Sequence, residues 1–306
     1  MQQTYQLTDL QNWEAHATTS EPPVLLGVVG DPVEHSLSPQ MQNAALAASG
    51  LTMRYARFRI APEELPEALR LMCEHDFVGC NLTVPHKIAA LPLLDQVDDR
   101  ARQIGAVNTV TFRGGRSLGS NTDGAGFSRA VREEFAVDLE NLRVLLLGAG
   151  GGAGRAIAYQ CALEKCERLV LVNRTLVKAQ TLARELADSF SGPRVFGPAA
   201  RLEAIPWQND ALQTQLARTD LVVHATPLGL HLTDPSPLGR ELLAPHLMIY
   251  DLIPGSTRTA LLTAAAEAGA RGAGGSSMLL HQGALAFEHW FDRPAPLEAM
   301  RQALTK

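Results

Sequence analysis

The sequence predicts an α/β protein of two domains, and three observations carry that expectation. From Val24 onward, short apolar runs of strand length alternate with longer stretches of helical period. The alternation restarts near Asp123, and the second series holds the glycine-rich stretch LLLGAGGGAGRA between a strand pattern and a helix pattern. With 306 residues, the chain is long enough for each series to bury a core of its own.

The elements follow in order. VLLGVV (24–29) reads as a strand, and SPQMQNAALAASG (38–50) as a helix with Ser38 at N-cap, Pro39 at N1 and Gly50 past its end. MRYARFRI (53–60) is a second strand, PEELPEALRLMCEHD (62–76) a helix, and FVGCNLTV (77–84) a third strand, followed by a helical stretch to Ile104. Residues 106–123 read as two short strands around the turn RGGR, which completes a mainly parallel sheet. The second series has a helix at 124–136, the strand, glycine loop and helix of 143–164, the strand RLVLVNRT, a helix at 175–189, strands near 220–224 and 247–252, and a helix at 257–268. This is a doubly wound pattern. An Ala/Pro/Gly loop is expected near 192–206, and the end, 276–304, is helical.

Composition excludes several classes. Apolar residues make up 46% and charged residues 19%, which rules out wholesale disorder. A net charge of −5 without any long basic run gives no nucleic-acid or anionic-membrane footprint. Cys73, Cys80, Cys161 and Cys166 lack metal-site spacing and are read as free thiols; no metal is expected. Residues 1–23 are polar and acidic, unlike a signal peptide, and no stretch is long and apolar enough for a membrane span, so a cytoplasmic protein is expected.

The glycine loop carries the first chemical signal. Gly148, Gly150 and Gly154, with Gly151 among them, lie at G-x-G-x-x-x-G spacing, one residue longer than the usual dinucleotide fingerprint. Glycines let the backbone approach a pyrophosphate, and the helix N-terminus behind them stabilises its charge. The following strand ends in Asn173, Arg174 and Thr175, with Lys178 one turn on and no acid. An acid there would favour a ribose 2′-hydroxyl; a guanidinium and a hydroxyl favour a 2′-phosphate, so the cofactor is read as NADP(H).

The second signal lies in NLTVPHK. Asn81 and Thr83 share one strand face, and Lys87 follows just past the strand's carboxyl end, where ligands of open sheets bind. A hydride transfer to a ketone builds negative charge on oxygen, which a lysine can hold or protonate. Asp123 falls at the same end of the hairpin as Asn108 and qualifies as the partner of Lys87; an Asp that merely starts a helix is the competing explanation. Ser36 and Ser38 follow the first strand as two hydroxyls at a helix start, suited to a carboxylate, although plain capping would also account for Ser38.

Eight ordered blocks, GDPVEHSLSPQMQNAAL, NLTVPHK, GAVNT, NTDGAG, GAGGGAGRA, NRT, ATPLG and MLLHQGALAF, resemble the shikimate dehydrogenase family and cover residues 24 to about 292. The resemblance implies NADP-linked interconversion of 3-dehydroshikimate and shikimate, a step towards chorismate and the aromatic amino acids. It implies Lys87 and Asp123 as the catalytic pair, with Ser36, Ser38, Thr83 and Tyr250 around the substrate carboxylate. Asn81, Asn108 and Gln282 would meet its hydroxyls, and Thr226 and Gly275 would lie near the nicotinamide. The implied domains are an extension (1–23), a substrate domain (24–122), a Rossmann-type NADP domain (123–274) and C-terminal helices (275–306) that return to the substrate domain, in a monomer or homodimer. The chain departs from the family pattern at Gln42 (usually His), at Pro254-Gly255 in the stretch after Tyr250, at Ser276-Ser277, at His224 (commonly Asn) and in the length of the glycine loop. The rival readings are a quinate or quinate/shikimate dehydrogenase, from which Ser38 argues away, and a non-catalytic NADP-binding sensor, against which Lys87 and Asp123 argue.

Overall fold

The computed structural model describes residues 4–17, 21–191, 200–231, 233–255 and 258–305. It forms two compact units, one made of Met1–Asp123 with Leu280–Lys306 and the other of Gly124–Leu279. No helix among the described residues is long and apolar enough to cross a membrane.

The first unit holds a seven-stranded sheet. Its strands are β1 (Thr4–Tyr5), β2 (Val24–Gly30), β3 (Arg54–Arg59), β4 (Gly79–Leu82), β5 (Gln96–Val97), β6 (Thr109–Arg113) and β7 (Arg116–Ser120), in the order β1-β3-β2-β4-β6-β7-β5. β1 to β4 are parallel to their neighbours, and the β6–β7 hairpin adds to β4 antiparallel. Gly114 and Gly115 both have positive φ at its tip, the turn that matches strand twist. Apolar residues of these strands and of the helix Leu65–Glu74 close one core, which includes Phe58, Phe77, Leu82 and Val110.

The second unit is a fully parallel sheet of β8 (Arg143–Leu147), β9 (Arg168–Asn173), β10 (Leu202–Pro206), β11 (Leu221–His224), β12 (Met248–Asp251) and β13 (Arg271–Gly274), in the order β10-β9-β8-β11-β12-β13. Alternate residues of the central strands feed two separate cores. Leu146, Leu171 and Val223 face one, and Leu145, Val170 and Val222 face the other, as a sheet covered on both sides requires. The strand order reverses between β8 and β11, the point where such sheets bind ligands beyond their carboxyl ends.

Several expectations change. Part of the segment set apart as an extension belongs to the first unit: β1 pairs with β3, and Tyr5, Leu10 and Trp13 are buried against Phe58 and Phe77. Ser38 is the first helical residue rather than the N-cap, a position taken by Leu37. The stretch up to Ile104 is not one helix but the short helix His86–Ala89, a 3-10 turn at Leu91–Leu93, β5 and the helix Asp99–Ile104. Pro92 falls in its middle, and the Asp98 carboxylate restarts the helix by accepting from Ala101 N at 2.6 Å. Of the expected loop near 192–206, residues 192–199 lie outside the described residues, and 202–206 form β10, with Pro206 at the end of an edge strand.

Candidate active site

The first unit gathers its polar residues where β4 ends and the β6–β7 hairpin closes. β4 stops at Leu82, and Lys87 follows on the short helix His86–Ala89. His86, fully buried, ties that helix to the end of β3 through Nε2 and the Ile60 carbonyl at 2.8 Å. Burial holds its pKa below the usual histidine value, against smaller upward pulls from the Ile60 carbonyl and Asp31. Asp123 opens the helix Asp123–Phe135 immediately after the hairpin.

Lys87 Nζ lies 2.5 Å from Asp123 Oδ2, with the lysine side chain 16% exposed and the aspartate 4%. Asn108 Nδ2 donates to the other carboxylate oxygen at 2.8 Å and to Thr122 Oγ1 at 2.9 Å. Asn108 Oδ1 in turn accepts from Thr122 N at 2.8 Å and Thr109 Oγ1 at 3.0 Å. Asn121 Oδ1 accepts the Asp123 N–H at 3.0 Å. The carboxylate is thus fixed from its backbone outward and presents one oxygen to the lysine, which is the arrangement of an oriented acid/base pair.

The other residues singled out in this unit lie around that pair with altered tasks. Asn108 does not offer its amide to a ligand: its hydrogens go to Asp123 and Thr122, and Gln282 Oε1 is a third, longer partner at 3.3 Å. Asn81 donates to the Asn108 carbonyl and Thr109 Oγ1, both at 3.1 Å, and accepts from the Tyr55 hydroxyl at 2.8 Å, which leaves one lone pair of Oδ1 for a hydroxyl. Ser36, not Ser38, takes over the capping task, accepting Ser38 N at 3.3 Å. The Ser38 side chain is buried beside the Tyr55 phenol. Thr83 sits half-buried one residue past β4. Tyr55, Thr109, Asn121 and Thr122 escape a reading of the sequence. Tyr55 looks like ordinary strand material, but burial raises its phenol pKa well above the tyrosine norm and keeps it a neutral donor to Asn81.

The second unit presents its own set at the carboxyl edge of its sheet. Gly148, just after β8, has φ +91, and a Cβ there would lie 2.6 Å from the Ala225 carbonyl; one on Gly154 would run into the Gly148 carbonyl. These are the demands of a tight turn and of close helix–strand packing. Gly151 is the N-cap of the helix Gly152–Leu163 and faces nearly open space, which leaves room at the helix N-terminus for an anion. Gly150 lies under the Lys178 stem and near the Asn173 amide. Arg174 is exposed and has no ion-pair partner among the described residues, and the Thr175 hydroxyl does not cap the helix that follows. The loop, the open helix end and an uncommitted guanidinium fit a dinucleotide with a further phosphate.

Thr226 lies two residues beyond β11, with Cγ2 2.8 Å from a Cβ placed on Gly148, and Gly275 follows β13 against the Leu252 carbonyl. Tyr250 is fully buried in β12, its hydroxyl bonded to Ser277 Oγ at 2.8 Å and accepting Met278 N at 3.0 Å, so the hydroxyl is engaged within its own unit. Ser277, where the family pattern has glycine, supplies that partner.

A dinucleotide-type parallel sheet in one unit and an oriented lysine–carboxylate pair in the other define a two-unit α/β protein of the dehydrogenase class. Family models match residues 28–110 (shikimate dehydrogenase substrate binding domain), 129–234 (shikimate / quinate 5-dehydrogenase) and 275–305 (shikimate 5′-dehydrogenase C-terminal domain). The chain belongs to the shikimate dehydrogenase family. It is 42% identical over 282 residues to a shikimate dehydrogenase (NADP(+)) of Methanopyrus kandleri, covering 92% of this chain and 94% of that one. The solved shikimate dehydrogenase of Aquifex aeolicus superposes with a TM-score of 0.82 at 35% identity, over 92% of this chain and 98% of that one. A shikimate 5-dehydrogenase of Thermus thermophilus in complex with NADP(H) and shikimate gives 0.79 at 36% identity, over the same shares of the two chains.

Proposed function

We propose that this protein reversibly reduces 3-dehydroshikimate to shikimate with NADP(H), using Lys87 and Asp123 as its acid/base unit. The observation that carries the reading is the Lys87–Asp123 pair at 2.5 Å, the lysine part-exposed and the carboxylate fixed by Asn108, in the unit matched by the substrate-binding family model. The relatives named above, one of them holding NADP(H) and shikimate, support it.

When bound, NADP(H) supplies the hydride in one direction and accepts it in the other. The Lys87 ammonium gives a proton to the substrate oxygen as charge builds there, and the amine it leaves takes a proton back during oxidation. Asp123 keeps Nζ in position, and Asn108 keeps Asp123 in position. Ser36, Ser38 and Thr83 are proposed around the substrate carboxylate, and Asn81 and Gln282 on its hydroxyls. In the other unit Gly148, Gly150, Gly151 and Gly154 would hold the pyrophosphate. Asn173, Arg174, Thr175 and Lys178 would hold the adenosine side with its 2′-phosphate, and Thr226 and Gly275 the nicotinamide side. On this reading the unit of Met1–Asp123 with Leu280–Lys306 is the substrate domain, and the unit of Gly124–Leu279 is the NADP domain. We place the protein in the cytoplasm, as a monomer or homodimer.

The test is a panel of shikimate and quinate against NADP⁺ and NAD⁺, followed by nicotinamide absorbance. Shikimate with NADP⁺ should give the highest kcat/KM. Equal or reversed preference for quinate would move the protein to the quinate class, and binding of NADP⁺ without turnover of either acid would make it a sensor.

A further inference from the structure

At the carboxyl edge of the second sheet, β11 and β12 end side by side on His224 and Asp251, paired in register. Both are completely buried. His224 Nδ1 lies 2.9 Å from Asp251 Oδ1, and His224 Nε2 lies 2.5 Å from Thr226 Oγ1. Asp251 is itself pinned, Oδ2 accepting from the Thr259 hydroxyl at 2.6 Å and Oδ1 from Ile253 N at 3.2 Å. Four side chains from three segments therefore form one hydrogen-bonded line that ends at Thr226, beside Gly148 of the glycine loop.

The directions along that line follow from what each group can donate. A carboxylate only accepts, so Nδ1 must carry the hydrogen it gives to Asp251. A neutral imidazole protonated on Nδ1 is an acceptor at Nε2 and takes the Thr226 hydroxyl hydrogen. Thr226 Oγ1 also accepts Leu228 N at 3.2 Å. With its hydrogen directed inward and one lone pair engaged, the hydroxyl offers a ligand a single remaining lone pair. Left to rotate, a threonine hydroxyl can donate or accept; this one is fixed as an acceptor.

We propose that His224 is a positioning residue that makes Thr226 an acceptor-only contact, matched to the N–H of the nicotinamide carboxamide. The proposal rests on the NADP(H) reading above and adds the polarity of one contact and the residue that sets it.

The test pairs two cofactors that differ at that group: NADP⁺, whose carboxamide has N–H donors, and its 3-acetylpyridine analogue, which carries a methyl ketone there. Dissociation constants come from fluorescence titration of the full chain, so the readout is independent of turnover. The wild-type protein should bind NADP⁺ about three- to tenfold more tightly than the analogue, the usual worth of one hydrogen bond. Thr226→Val, which removes the hydroxyl and keeps the shape, should bring that ratio close to one. His224→Asn, a shorter amide that keeps a donor for Asp251, should do the same, because a released threonine hydroxyl can serve a ketone as well as an amide. 2′-Phospho-ADP-ribose, which lacks the nicotinamide, should bind all three proteins alike; a variant that loses this ligand has lost its fold and is replaced by His224→Gln. Equal wild-type affinity for the two cofactors, or a ratio unchanged in both variants, overturns the proposal. Failure of NADP⁺ and of 2′-phospho-ADP-ribose to bind the wild-type protein would instead overturn the cofactor reading.

Discussion

Each unit holds a basic side chain against an aspartate at the end of a strand, and the two pairs are built for opposite ends. Lys87 and Asp123 meet at 2.5 Å with the lysine 16% exposed, whereas His224 and Asp251 meet at 2.9 Å with exposures of 0% and 1%. The first pair has a side open to a reacting molecule. The second is closed on every side except through the hydroxyl of Thr226. On the proposed reading a proton is exchanged at the first, and the second sets the direction of a neighbour's hydrogen bond. Similar residue types at similar places thus acquire different tasks through access alone.

The largest effect should come from opening the first pair. Lys87→Ala should lower kcat by about 10²–10⁴-fold, the usual loss on removing a positioned acid/base, with NADP⁺ affinity near wild type. Asp123→Asn should also lose kcat, and the double variant should lose far less than the product, since groups acting as a unit are non-additive. Fully multiplicative losses would separate the pair.

Arg174 supplies a cation with no protein partner among the described residues, the limiting case of the comparison. Arg174→Ala should weaken NADP⁺ by about 1.5–3 kcal/mol, as for a hydrogen bond to a charged group, and leave NAD⁺ nearly unchanged in the same titration. Parallel weakening of both cofactors would mean a structural arginine.

Breaking the sealed pair should show first in stability. Asp251→Ala strands the buried Nδ1–H of His224 and should cost about 1–3 kcal/mol in a urea titration. A variant as stable as wild type would show that the pair is not sealed in solution.

The smallest effect separates two buried histidines. His224 has both ring nitrogens bonded, whereas His86 Nδ1 has no partner among the described residues and only Nε2 is used. Burial lowers the folded-state pKa of His86, so as pH falls below about 6.5 the unfolded chain takes up its proton first. This contribution is fully present above that pH, declines below it and levels off once the folded form is protonated as well. Urea midpoints between neutral and mildly acid pH should show this slope in wild type and a shallower one in His86→Gln; identical slopes would remove His86 from the acid response.

What could be read from the sequence follows how local each signal is. The central strands of both sheets and the glycine loop announce themselves through apolar runs and spacing, and Lys87 and Asp123 sit in short, chemically loaded segments. β1, β10 and β13 are edge strands, and RGAG in β13 carries no period at all; pairing with a neighbour makes them strands. Tyr250 is singled out by family resemblance alone, and no pattern in the sequence shows that Phe127 and Phe135 pack against its ring. Tyr55 and Asn121 matter only through partners distant in sequence or hidden in a turn, and no window of residues reveals those bonds.

The first unit is assembled from two pieces of chain. Trp290 donates to the Val110 carbonyl at 3.0 Å and lies against Gly79, and Gln42 Nε2 reaches the Gly283 carbonyl at 2.9 Å across 241 positions. During synthesis, the sheet that carries Lys87 therefore waits for residues made after the whole of Gly124–Leu279, while the intervening unit has all of its strands in hand earlier. The half of the molecule that begins first on the ribosome is the half that finishes last. Until Trp290 arrives, Gly79 and Val110 lack the cover they have in the finished protein, which makes that interval the window in which a nascent-chain chaperone has most to protect.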